Sequence, residues 1–474
     1  MQSSNIIIQK FSGVTVGSAK RMKKVLQLIK NSINDSDIII VLSAVSPKKK
    51  IHGTTSKLIQ ATRELLVKRA THSFEILNEI EENHINILNK LITENEELRL
   101  KTEKEIKAEC NSLREFLKAL EIIKEITPKS SDTILSTGEK LAGIVFTAYM
   151  KSEGIDTELI DFEKIITDVE DDSLIDTNFY LNTLVPKISE ELSKCKAKVP
   201  LVTGFIGSFP LGILETVGRG YSDFTASLVS LAVHAKEVQI FKNISGIYSA
   251  DPLIVPQAYV LPYVTPDEAS ELVFYGLKTI NPSCMDIAHD QKIRIKSIDH
   301  PEQPGTLIGP YTDEYKHLKS TAVLIKKDVL IYNIHCRKGS VAHGTMKKVF
   351  ETFNKFGIQL DLVSTSQMNL SIALSNDINN LDLVTAELKN VGKVSIRPHM
   401  AILSVVGRKL KNQIGFAGKL FATLAENNIN IHMISQGRSE INISCVINQE
   451  SKATAMKCAY ELIYSTEEEK KEEK

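Results

Sequence analysis

Tryptophan is absent from the 474 residues, and no net charge is left when 58 Lys and Arg are set against 58 Asp and Glu. Without a global basic field, neither nucleic acid nor an anionic membrane surface is an expected partner. The six cysteines, at 110, 195, 284, 336, 445 and 458, form no C-x-x-C pair. That excludes the common redox and zinc spacings and fits a reduced, cytoplasmic setting. The eleven histidines contain no H-E-x-x-H, so no resident metal is expected, and lone residues such as His343 or His432 read as surface or helix-start positions. No apolar run approaches the ~20 residues needed to span a bilayer, and MQSSNIIIQK lacks the cationic start and apolar core of a signal peptide. What remains is a multidomain chain whose 42% hydrophobic content can fill two to four cores.

The common nucleotide loops are missing too. Gly218-Arg219-Gly220 supplies G-x-G, but Asp223 stands where a dinucleotide fingerprint needs its third glycine. The spacing from Gly339 to Gly344 is followed by Thr345 and Met346 instead of the Lys and Ser/Thr of a P-loop. TVGRGYSDFTASL, residues 216–228, therefore reads as a glycine-permissive turn feeding an amphipathic helix, a place suited to an anionic ligand. A bland alternative makes Arg219 and Asp223 an i,i+4 pair worth only ~0.5 kcal/mol.

Through residue 310, short β-rich runs (6–8, 38–42, 201–206, 238–241 and 293–295) alternate with helical patterns. Such alternation predicts a mainly parallel sheet between helix layers, with ligands at the carboxyl ends of the strands. The polar segments FSGVTVG, SAVS, GFIGS and KNISGIYSADP fall at those ends. Residues 71–127 carry no Gly or Pro and are rich in Glu, Lys, Leu and Ile, predicting a long-helix insertion packed on the sheet.

Beyond Gly309 the chain repeats itself. A shift of about 71 residues lays Gly344 on Gly415, Phe350 on Phe421, Ser364 on Ser435 and Ile372 on Ile443. Each copy reads as a glycine, an amphipathic helix, an alternating strand, a polar turn and a second strand. Two copies predict a packed pair of small α+β domains. The expected boundaries are a catalytic domain over 1–315, repeat domains over 316–398 and 399–464, and a charged tail over 465–474 that frays into solvent.

These segments together resemble the aspartate kinases, members of the amino acid kinase fold with C-terminal ACT domains. KFSGVTVG (10–17) is similar to the family's K-F-G-G-T-S-V and STGEKL (136–141) to its S-x-G-E-x-[LM]. GFIGS (204–208), VGRGYSD (217–223), GIYSADP (246–252), EASEL (268–272), GLKTINP (276–282) and ISQGRSEINISCVI (434–447) follow in the family's order. Any one motif is weak; the ordered set is specific. The loop SAVSPKKKIHGTTSKL (43–58) resembles the fungal branch. The resemblance implies an α/β amino acid kinase fold followed by two ferredoxin-like ACT domains. The chain leaves no room for an appended dehydrogenase, so a monofunctional enzyme is expected.

The implied reaction moves the γ-phosphoryl of MgATP to the β-carboxylate of L-aspartate, the first step toward threonine and methionine. By resemblance, Lys10 is the catalytic lysine against the transferring phosphate, and Asp223 orients it without acting as a base. Arg219 clamps a substrate carboxylate with its planar fork, Glu139 reads the α-ammonium, and Ser43, Thr55, Phe205 and Ser222 line the acceptor site. ATP falls to Lys10, Gly13, Lys242, Asn243, Tyr248, Asp251 and Lys278, with Mg²⁺ accompanying it. Five positions depart from the family pattern: Ser12, Val14, Asn243, Leu253 and Asn281, the last replacing a histidine before Pro282. They bear on nucleotide affinity more than on reaction class.

The ACT resemblance implies a homo-oligomer and an allosteric amino acid, threonine in the fungal branch, held by Gly344, Thr345, Asp361, Thr365, Ser366 and Gly415. Two rivals stand beside this reading. One is a non-catalytic amino-acid sensor on a degraded kinase scaffold; the other is a kinase with a different acceptor, such as glutamate or carbamate.

Overall fold

The apolar run Ile6–Phe11 forms β1 and lies in the middle of a parallel sheet, paired with Asp37–Leu42 (β2) on one side and Glu237–Lys242 (β5) on the other. The structure, a computed structural model, describes all residues except 1–4, 68–69, 167–168, 170–174, 278, 288, 290, 316, 319–320, 337–341, 367–368, 377–379, 412, 438 and 473–474. It divides into a unit of Met1–Gly246 with Thr279–Asp313 and a unit of Ile247–Lys278 with Glu314–Lys474.

In the first unit, Thr157–Ile160 (β3) and Val199–Thr203 (β4) extend the sheet beyond β2, while Ile293–Ser297 and Thr306–Ile308 extend it beyond β5. All these pairings are parallel except the last. The chain leaves β1 toward one edge and β5 toward the other, so a crevice opens at the carboxyl ends of β1 and β5. Such a switch point is where open α/β sheets bind ligands. The strands there are buried: Ile8, Phe11, Ile40 and Ile240 are all fully enclosed. Phe11 and Phe241 stack across the pair, centroids 5.0 Å apart.

The insertion is a helical hairpin, Ala70–Leu91 (α3) and Glu96–Ile123 (α4). Asn95 caps the second helix by accepting from the Leu98 N–H at 3.0 Å. Ile106, Cys110, Leu113, Leu117 and Leu120 bury one stripe at 3- and 4-residue spacing. On the facing helix, burial holds the His84 imidazole down at about 4, so the ring is neutral.

The second unit contains a six-stranded antiparallel sheet in the spatial order 362–365, 369–375, 322–336, 392–406, 442–448 and 431–436. Its two central strands are each 15 residues long and serve both repeats. Val329–His335 and Gly392–Arg397 belong with the first repeat; Met400–Val406 and Ala322–Lys326 belong with the second. Register shifts at Arg397, Met400 and Ile402 mark the changeover. The second repeat thus takes its fourth strand from ahead of the first, and residue 398 falls inside a continuous strand. Each repeat retains its own core: Tyr332, Ile334, Phe353 and Leu388 in the first, Leu403, Leu424, Ile443 and Ala459 in the second. The last helix, Lys452–Glu472, stays helical into the charged tail instead of fraying at 465, because Glu and Lys are strong helix formers. Among the described residues, no helix is long and apolar enough to cross a membrane.

Candidate active site

Lys10 is the fifth residue of β1, where the strand pleat and the first polar loop meet. Its side chain is 3% exposed, and Nζ reaches Asp223 Oδ1 at 2.5 Å. Lys242, the last residue of β5, reaches Asp223 Oδ2 at 2.8 Å and also donates to the Thr279 carbonyl. One buried carboxylate is therefore held between two ammonium groups, one from each side of the switch point. Burial alone would push the Asp223 carboxyl up, but Lys10 and then Lys242 outweigh it and hold it at about 2. Asp223 turns away from Arg219 to make these pairs, which removes the bland i,i+4 reading of the stretch.

The helix Tyr221–Ala232 carries Asp223 and opens on Gly220, whose φ of 90° suits glycine alone. Three consecutive residues of its first turn reach three different elements. Tyr221 donates its phenolic hydrogen to Glu139 Oε1 at 2.8 Å, Ser222 meets Ser43 across 2.7 Å, and Asp223 takes the two lysines. Glu139 sits within Pro128–Ser152 (α5) and is 2% exposed. Its Oε2 is buried with no hydrogen-bond partner. Burial raises this carboxyl to about 7, against the opposing pull of the Tyr221 bond. A buried carboxylate oxygen lacking a donor is chemically ready for an ammonium ligand.

Phe205 is fully buried and meets Tyr221 edge-on, centroids 6.0 Å apart. Thr55, half-buried at the start of Thr54–Leu66 (α2), lies beside the same phenol. The loops are closely strapped. The Ser43 N–H donates to the Phe11 carbonyl and the Ser46 N–H to the Gly13 carbonyl. A Cβ on Gly13 would stand 2.3 Å from the Ala44 oxygen, and one on Gly204 would stand 2.5 Å from Ser222 Cβ. These glycines let three strand-end loops converge.

Arg219 is exposed on the turn before the helix, with no ion-pair partner among the described residues. Asn243 is exposed just after Lys242. Tyr248 and Asp251 belong to the second unit. There Tyr248 is half-buried and bridges to Val260, and Asp251 caps its own turn by accepting from the Leu253 N–H at 2.9 Å. Lys278 lies outside the described residues. Leu253 is 93% exposed.

Two supporting residues carry no signal of their role in the sequence. Asp132, 1% exposed, accepts from the Phe209 N–H and twice from the Ile213 N–H and so shapes the loop after β4. Burial raises its carboxyl to about 6 despite those bonds. Asn281 stands out in the sequence only as a departure from the family pattern, yet it braces the turn that carries Arg219. No local pattern marks either role, since the loop and turn bonds that define them span more than 60 positions.

In the repeat sheet, Thr365 and Ser366 are exposed at the end of the edge strand Leu362–Thr365. Asp361 is buried and ion-paired to Lys326 at 2.6 Å. Thr345 is buried, whereas Gly344 is exposed as the third residue of its helix. Gly415, at φ 82°, caps the matching helix Phe416–Glu426. The structure thus spreads the six positions over both repeats. Cys110, Cys195, Cys284, Cys445 and Cys458 are free thiols, and the described residues contain no group of three His, Cys, Asp or Glu suited to a metal.

Residues 5–297 match the amino acid kinase family, and residues 403–462 match an ACT domain. The chain is 34% identical over 481 residues to an aspartokinase of Schizosaccharomyces pombe, covering 96% of this chain and 92% of that one. It is 34% identical over 499 residues to an aspartokinase of Saccharomyces cerevisiae, covering 98% and 93%. The solved structure of Escherichia coli aspartokinase III with aspartate and ADP, in its R-state, shares the fold. The TM-score is 0.75 over 97% of this chain and 100% of that one, at 22% identity.

Proposed function

The chain belongs to the aspartokinase family, and from that premise we propose that the Lys10–Asp223–Lys242 cluster transfers the γ-phosphoryl of ATP to the β-carboxylate of L-aspartate. The enzyme is an ATP-dependent phosphotransferase with a carboxylate acceptor. A β-carboxylate oxygen of aspartate forms the new P–O bond as the bond to the ADP oxygen breaks, giving 4-phospho-L-aspartate and ADP. The acceptor has no proton to lose at neutral pH, so no general base is required. What the step requires is two anions brought into line with their charge neutralised.

The observation that carries this reading is the carboxylate of Asp223 held between two lysines at the carboxyl ends of β1 and β5. Two ammonium groups against one carboxylate leave a net positive charge facing the crevice, fixed before substrate arrives. Asp223 fixes where those charges lie. The closely packed Gly13 loop lets backbone approach the phosphates, and Asn243 is assigned to ATP. Mg²⁺ enters as part of MgATP.

On the acceptor side, Glu139 in its ionised form receives the α-ammonium on Oε2, and Arg219 takes the α-carboxylate. Ser43, Thr55, Ser222 and Phe205 shape the space between. We further assign the catalytic domain to 1–315, with the helical insertion at 71–127, and the ACT pair to 316–464, the strand segment Ala322–Lys326 completing the second domain. A homo-oligomer joined through the ACT domains is inhibited by threonine, the end product of a pathway this reaction opens. Trapping with hydroxylamine tests the central step: wild type with MgATP and aspartate yields a hydroxamate, glutamate in place of aspartate does not, and Lys10→Ala gives none. No hydroxamate from wild type at high ATP, with threonine still bound, would favour the sensor reading.

A further inference from the structure

The turn Val217–Gly220 is anchored at its start, where the Val217 and Gly218 N–H groups donate to the Ile213 carbonyl at 2.9 and 3.0 Å, and at its end, where the Gly220 carbonyl accepts from the Asp223 N–H at 2.8 Å; Arg219 lies between these anchors. Gly218 and Gly220 adopt φ of 86° and 90°, and a Cβ on Gly218 would meet nothing within 4 Å. Arg219 projects from between them into solvent. The helix that follows is fixed through Tyr221, Ser222 and Asp223, but those bonds act after the turn and leave the direction of Arg219 open.

Asn281 adds a brace at Arg219 itself. It is 2% exposed, and Nδ2 donates to the carbonyls of both Val217, at 3.0 Å, and Arg219, at 3.2 Å. Its Oδ1 accepts from the Ser283 N–H at 2.8 Å, which fixes which way the amide faces. A carboxamide offers two hydrogens on one nitrogen beside an acceptor oxygen. Neutral histidine, the residue the family pattern has before this proline, carries one ring N–H and cannot serve both carbonyls.

We propose that Asn281 is a positioning residue for the acceptor: by holding both carbonyls of the Val217–Gly220 turn, it sets the direction of Arg219 and thereby the affinity for aspartate. The inference rests on the reading of Arg219 as the carboxylate clamp. Its effect belongs to aspartate binding and not to phosphoryl transfer. An aspartate at 281 would present oxygen to two carbonyls when ionised and could donate one hydrogen bond when protonated. It would convert the brace into a pH-sensitive one.

Steady-state kinetics of the full chain, on wild type, Asn281→Ala, Asn281→Asp and Arg219→Ala from pH 6 to pH 9, test this. Asn281→Ala should raise the aspartate KM about tenfold, change the ATP KM less than about twofold and lower kcat less than about threefold. The ratio of aspartate KM between Asn281→Asp and wild type should climb with pH, while the same ratio for Asn281→Ala stays flat. Parallel loss of kcat and both KM values in Asn281→Ala, with a lowered Tm, would mean a general scaffold role and overturn the proposal. So would an unchanged aspartate KM in both Asn281 variants. If Arg219→Ala raises the aspartate KM in that case, the clamp reading survives alone. If Arg219→Ala leaves it unchanged, the clamp reading fails and the proposal falls with it.

Discussion

Replacing Glu139 with glutamine should stabilise the unliganded protein while weakening its hold on aspartate. Burial raises the Glu139 carboxyl from 4.5 to about 7, so the folded state holds that proton to higher pH than the unfolded chain does. The cost of ionising it in place is absent below pH 4.5, grows between 4.5 and 7, and is fully present above 7. At 1.36 kcal/mol per unit, a rise of about 2.5 units sets that cost at about 3 kcal/mol at pH 8. Glutamine keeps the shape without the charge. Unliganded Glu139→Gln should therefore melt several degrees above wild type at pH 8 and gain nothing near pH 4. The ligand side runs the other way. Only the ionised carboxylate receives an ammonium, and its population falls roughly tenfold from pH 8 to pH 6. The wild-type aspartate KM should rise by that factor over the interval, and Glu139→Gln should raise KM and flatten its pH dependence. Differential scanning fluorimetry and initial rates at both pH values suffice. A flat wild-type KM, or a destabilised unliganded variant at pH 8, would refute the assignment.

The lysines draw the Asp223 carboxyl down from 3.8 to about 2, so it contributes about 2 kcal/mol above pH 4 that is lost as pH falls through 2. Acid unfolding of Asp223→Asn should lack that component, and the variant should be less stable at pH 7, where the buried Lys10 ammonium and the part-buried Lys242 ammonium lose their partner. Gly204→Ala places a Cβ 2.5 Å from Ser222 Cβ and 2.8 Å from the Leu42 carbonyl, with backbone on one side. Chemical denaturation should read a loss of about 1–3 kcal/mol or more, together with reduced activity. Saturating threonine should lower aspartokinase activity and raise the Tm; if both stay unchanged, threonine is not the effector.

The order of motifs singles out Lys10, Glu139 and Asp223, which the structure gathers around the helix Tyr221–Ala232, and the 71-residue repeat exposes the paired α+β units. The Gly- and Pro-free stretch likewise announces the helical hairpin. What sequence pattern does not convey is contact across long separations. Lys10 and Asp223 are 213 residues apart, and nothing local says that Asp223 prefers two distant lysines to Arg219 four residues away. The same limit hides Asp132, whose partners lie 77 and 81 residues away. It also hides Asn281, whose departure from the family's histidine reads as a loss at the nucleotide, whereas its two carbonyl partners lie on the turn that carries Arg219. Periodicity marks the strands of the repeats but not that two of them run through both, because pairing partners leave no trace in a strand's own alternation.

Rapid-quench single turnovers with γ-labelled ATP and saturating aspartate measure in isolation the phosphoryl transfer that we propose the two lysines held by Asp223 drive. Lys10→Ala and Lys242→Ala should each slow acyl phosphate formation at least about a hundredfold, with aspartate affinity changed less than about threefold. A chemical step at the wild-type rate in either variant would contradict the account.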